Sequence, residues 1–65
     1  MKPDFTPRQM EVLRLLADGL NNAQIAFVLG ISPRVVSGLV THVLEMCGLT
    51  SRQQVPAYLE RRAAP

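Results

Sequence analysis

Apolar residues recur along this chain at intervals of three and four, and each run is bracketed by capping residues. Met10, Leu13, Leu16, Ala17 and Leu20 follow helical spacing, and Val12 and Leu15 widen the stripe. Thr6 and Gln9 precede them as a capping box, in which each side chain satisfies the other residue's amide. Pro7 occupies the first helical position, where its missing N–H costs nothing. Phe5 and Met10 stand at the staple positions around the box, and Gly19 ends the run.

A second helix is expected between Asn22, as N-cap, and Gly30. It is too short to stand alone in water. Ile25, Val28 and Leu29 must therefore be held by other helices. The third helix has Ser32 as cap, Pro33 at its first position and Gly48 at its end. On a wheel of 100° per residue, Val36, Val40, Val43 and Cys47 share the centre of one face. Leu44 flanks them on one side, and Leu39, Met46 and Val35 on the other. Arg34, Ser37, Gly38, Thr41, His42 and Glu45 take the opposite face. Gly38 sits mid-helix at a cost of about 1 kcal/mol relative to alanine. Either something approaches the backbone there or the glycine has no role.

The fourth segment opens with Ser51 and Gln54 as another box, and Val55, Tyr58 and Leu59 give it an apolar face. Pro56 would be the fifth residue of a helix begun at Arg52 and would remove its bond to the Arg52 carbonyl. The first turn is then distorted, or the regular helix begins nearer Val55. The tail from Arg61 onward is expected to fray. The pattern predicts one all-α domain over residues 1–65, a four-helix bundle with helices at roughly 7–18, 23–29, 33–47 and 52–62.

Residues 22–47 have the layout of a helix-turn-helix. Ala26 is small where the two helices approach, and Gly30 suits the left-handed turn. Ile25, Leu29, Ile31, Val36 and Leu39 are placed to bridge the pair. In such a motif the second helix enters the DNA major groove.

Composition narrows the function. Sixty-five residues bury only a small core and leave no room for an enzyme pocket of about 300–1,000 Å³. The net charge of +2 permits nucleic-acid binding without demanding it, and the seven cations, Lys2 included, are spread along the chain. Cys47 is the single cysteine, so no intramolecular disulfide or multi-cysteine zinc site is available. It reads as a small core residue. Asp4, Glu11, Asp18, His42, Glu45, Cys47 and Glu60 form no catalytic or metal-binding constellation, so neither catalysis nor a cofactor is expected. No apolar run of about 18 residues and no leader is present, which gives the expectation of a cytoplasmic protein without a membrane partner.

The run from Phe5 to Leu20, with Thr6-Pro7-Arg8 and Glu11-Val12-Leu13, resembles the opening of the LuxR/GerE-type DNA-binding domain. Asn22, Ile25, Ala26, Leu29, Ile31 and Ser32 continue the resemblance, as do Gly48, Leu49 and Arg52. It covers about Phe5 to Leu59. The resemblance implies a four-helix domain whose third helix reads DNA and whose fourth mediates dimerisation.

The second half departs from the family pattern. Val35 stands for a threonine, Ser37 and Met46 for lysines, Leu39 for a histidine, His42 for an asparagine and Val43 for an isoleucine. Leu39 is read as structural, whereas Ser37 and Met46 each remove a cation that phosphate would use. The resulting expectation is a sequence-specific transcriptional regulator of double-stranded DNA. Arg34, Ser37, Gly38, Thr41 and His42 would face DNA, and Asn22 and Arg52 would lie on phosphates. A homodimer would form through Val55, Tyr58 and Leu59. The alternative is a protein-interaction module that binds another transcription factor through the apolar edge of Val35, Leu39 and Met46.

Overall fold

The computed structural model describes residues 4–63. Four helices follow in order: α1 (Pro7–Ala17), α2 (Asn22–Leu29), α3 (Pro33–Cys47) and α4 (Val55–Ala63), with a 3₁₀ turn over Arg52–Gln54 before α4. No strand occurs among the described residues. Lys2 and the frayed end expected at Ala64 and Pro65 lie outside them.

The caps explain the boundaries. Thr6 Oγ1 accepts from the Gln9 amide at 3.1 Å, and Gln9 Oε1 accepts from the Thr6 amide at 2.9 Å. α2 begins one residue earlier than expected. Its N-cap is Asn21, whose Oδ1 accepts from the Gln24 amide at 2.9 Å while Gln24 Oε1 accepts from the Asn21 amide at 2.8 Å. Asn22 has no glutamine three residues on; Asn21 does, and the reciprocal pair decides the start. Ser32 caps α3 by accepting from the Val35 amide at 3.2 Å.

Pro56 shapes the last segment. The Val55 amide donates to the Arg52 carbonyl, so the bond that Pro56 could not supply is made one residue earlier as a 3₁₀ turn. Pro56 then falls in the first turn of α4, where no donor is required. Gln54 Oε1 collects the Thr50 and Ser51 amides at 2.8 and 3.0 Å. The predicted helix over 52–62 is thus a short 3₁₀ turn followed by an α-helix. That helix continues through Arg61, Arg62 and Ala63 rather than fraying from Arg61.

The core takes residues from every helix. Val12, Leu13 and Leu16 of α1 meet Ile25 and Ala26 of α2, Val36, Val40 and Val43 of α3, and Val55 of α4. Phe5, Leu29, Ile31, Leu39, Cys47 and Leu59 pack around it, half-buried. Val28 departs from expectation: it is 54% exposed, and no helix covers it. Phe27, its neighbour, is 89% exposed. At 100° per residue Phe27 falls opposite Ile25 and Ala26, whereas Val28 lies only about 60° from Ile25, at the edge of the buried face.

Candidate nucleic-acid interface

α2 and α3 are joined by Gly30, Ile31 and Ser32, and their axes turn through 107°. Gly30 adopts φ +69, a left-handed conformation that lets the Ile31 amide reach back to the Ala26 carbonyl at 3.1 Å. Ala26 is 4% exposed, and its small side chain permits the crossing. This is the steep, glycine-turned geometry of a helix-turn-helix. It holds α3 with its valine face in the core and its other face in solvent.

That outer face carries Arg34, Ser37, Gly38, Thr41, His42 and Glu45, all exposed. The structure brings the five residues expected to face DNA onto one continuous side of one helix. A Cβ placed on Gly38 would meet nothing within 4 Å, so the fold itself makes no demand for glycine there. Val35 is also exposed, at 51%, whereas Leu39 is half-buried against the core, as its structural reading requires.

The electrostatics of the motif favour an anion modestly. From Gly19 to Leu44 the sequence contains no carboxylate, and Arg34 is its one lysine or arginine. α2 and α3 have no acidic residue in their first turns, and their caps, Asn21 and Ser32, are neutral. The caps already take the Gln24 and Val35 amides and Pro33 has none to give, so these two N-termini offer an external anion few donors beyond the dipole itself. Arg34 sits in the first turn of α3, where the helix dipole disfavours a cation by roughly 0.3–1 kcal/mol. A phosphate at that end would reverse the sign. Glu45 opposes this arrangement, because its carboxylate lies one turn beyond Thr41 on the same exposed face.

Asn22 and Arg52 are spatially adjacent, and each occupies the other. One terminal guanidinium nitrogen of Arg52, Nη2, donates to Asn22 Oδ1 at 2.7 Å, and Nη1 donates to the Leu20 carbonyl at 3.4 Å. Both residues are half-buried. A charge-assisted bond shielded from water is worth roughly 1.5–3 kcal/mol. Arg8 pairs instead with Glu11 at 3.7 Å, one turn along α1 and in solvent, where such a pair contributes little.

The residues expected to pair two copies divide differently. Val55 is fully buried in the monomer's own core and has no surface to offer a partner. Tyr58 and Leu59 are half-buried. The Tyr58 and Cys47 side chains form a hydrogen-bonding pair. Burial pushes the Cys47 thiol up, and the Tyr58 bond and Arg62 pull it partly back. Tyr58 is raised as well, first by burial and then by that bond. Sequence reasoning missed the pairs Asn22–Arg52 and Cys47–Tyr58, because each joins residues distant along the chain.

Among the described residues no cluster of His, Cys, Asp and Glu could hold a metal ion. No single helix among them is long and apolar enough to cross a membrane. One surface depression, of about 770 Å³, reaches the size that the chain length is expected to exclude. It is an open hollow lined by Pro7, Arg8, Met10, Glu11, Arg14 and Leu15, all from α1.

Comparison with known proteins agrees with this geometry. Residues 3–59 match the family of bacterial regulatory proteins described as the luxR family. A protein of Mycobacterium tuberculosis (strain ATCC 25618 / H37Rv) named as an HTH-type transcriptional regulator is 43% identical over 61 residues, which are 94% of this chain and 7% of that protein. The two-component response regulator PprB of Pseudomonas aeruginosa is 40% identical over 59 residues, 91% of this chain and 22% of its own length. The bialaphos biosynthetic pathway regulatory protein of Streptomyces hygroscopicus is 37% identical over 54 residues, 83% of this chain and 21% of its own. The chain therefore spans under a quarter of the length of each of these three relatives. No solved structure gives a significant match.

Proposed function

The chain belongs to the luxR family of bacterial regulatory proteins, and on that premise we propose that it is a sequence-specific DNA-binding transcriptional regulator whose α3 enters the major groove. The observation that carries this reading is the exposed, acid-free face of α3 formed by Arg34, Ser37, Gly38, Thr41 and His42, held outward by the burial of Val36, Val40 and Val43. Arg34 contacts a phosphate or a guanine edge. Ser37 and Thr41 donate to phosphates or bases, Gly38 lets the backbone approach closely, and His42 extends the contact along the groove. The positive end of the α3 dipole favours a phosphate there as well.

The lysine-poor face makes few phosphate contacts, so binding has a shallow salt dependence and leans on base contacts and fit. We further propose that two copies associate through Tyr58 and Leu59 of α4 and address half-sites about one helical turn apart. Such a regulator works in the cytoplasm without cofactor or catalysis. Selection from a random DNA pool, followed by titration at 50 and 200 mM salt, tests the reading. An enriched sequence bound better than its scrambled counterpart is expected. Absence of any binding at 50 mM salt would sink it.

A further inference from the structure

The cap bonds of this fold join residues three or four apart, whereas the Arg52 bonds to Leu20 and Asn22 span 32 and 30. They tie the start of the fourth segment to the loop that launches the helix-turn-helix. Asn22 is the first residue of α2, and Leu20 is in the loop just before it. Arg52 is the first residue of the 3₁₀ turn that replaces the Pro56 bond, so its backbone is fixed by the same device that admits the proline. A guanidinium fork presents two parallel donors at set spacing, which a lysine ammonium cannot reproduce. Both acceptors here are neutral and belong to the protein.

We propose that Arg52 is a positioning residue: through Asn22 and Leu20 it fixes the α2–α3 unit against α1 and α4, and so sets the angle at which α3 is offered to DNA. The DNA part of this inference rests on the functional reading above; the clamp itself does not. Arg52 then contributes to affinity without neutralising a phosphate. α2 is short and makes its contacts on one side only, with Phe27 and Val28 in solvent. A fastener at its first residue therefore has leverage over the whole motif.

Four variants separate this role from a phosphate contact: Arg52→Ala, Arg52→Lys, Asn22→Ala and the double Asn22→Ala/Arg52→Ala. Each is titrated with a selected DNA site over 50–200 mM salt, at a temperature where circular dichroism shows it folded. Arg52→Ala and Arg52→Lys are each expected to lose about tenfold in affinity. Asn22→Ala should reproduce most of that loss, the double variant should be no worse than Arg52→Ala, and the salt slope should stay that of the parent. The opposite pattern overturns the proposal: Lys restores binding, Asn22→Ala is silent, and Arg52→Ala cuts the slope by about 0.9. Residual dipolar couplings of the DNA-free protein supply a second reading. Arg52→Lys and Asn22→Ala should tilt α2 and α3 together relative to α1 and α4. Unchanged couplings overturn the positioning claim even if the parent binds no DNA, an outcome that would count separately against the functional reading.

Discussion

Arg62 lies over the ring of Phe5, its guanidinium carbon 4.8 Å from the ring centre. The contact joins the last turn of α4 to the residue preceding the α1 cap, and Phe5 also packs against the core. It places the end of α4 against the start of α1. Phe5→Ala should cost about 1–2 kcal/mol, because it removes half-buried ring area as well as the cation–π contact. Arg62→Ala should cost about 0.5–1 kcal/mol. Urea unfolding of both variants and their double tests this. Strictly additive losses would show that the two side chains do not act on each other.

Gly38 separates the needs of the fold from the needs of the ligand. An added methyl meets nothing in the protein, and its backbone is helical. Gly38→Ala should therefore stabilise the domain by up to about 1 kcal/mol, read as a higher melting temperature. The same variant should bind DNA more weakly, because the methyl stands on the face offered to the groove. Unchanged affinity would mean that nothing approaches Gly38.

Arg34 and Glu45 should move DNA affinity in opposite directions. Arg34→Ala removes the cation at the α3 N-terminus, weakening binding and lowering the salt slope by about 0.9 if it holds one phosphate. Glu45→Gln removes the carboxylate that faces the same ligand and should tighten binding. Fluorescence anisotropy with one DNA site measures both. A Glu45→Gln variant that binds no better would place the last turn of α3 away from the duplex.

The Cys47–Tyr58 pair predicts a weak alkaline limb in stability. Both groups are raised in the folded protein, in each case chiefly by burial. A group raised in this way contributes stability below its unfolded value and loses it as pH rises through the folded one. Melting temperature should therefore hold through neutral pH and decline above about pH 8.5, the ordinary thiol range. Cys47→Ala/Tyr58→Phe should flatten that decline. A parallel decline in the double variant would assign the limb to other groups.

Most of the fold was legible because its information is local. The Thr6–Gln9 box, Pro7, Pro33 and the glycines at 19, 30 and 48 each act within four or five residues, and α3 begins and ends where they place it. Asn21 and Asn22 are both cap residues by type, and Gln24, three residues after Asn21, selects the first. Pro56 posed its problem in sequence, and the structure answers it by advancing one hydrogen bond to Val55. The exposed face of α3 followed from periodicity alone. The Arg52 clamp, the burial of Val55 and the exposure of Val28 did not follow from it. They depend on where helices cross, and the wheel of one helix does not record that.

The central claim is that the outer face of α3 reads DNA. A nitrogen–proton correlation spectrum of the isotopically labelled protein, titrated with its selected DNA site at 50 mM salt, tests that most directly. The account predicts the largest shifts at Arg34, Ser37, Gly38, Thr41 and His42. Shifts that gather on α4, or a spectrum unchanged by excess DNA, would contradict it.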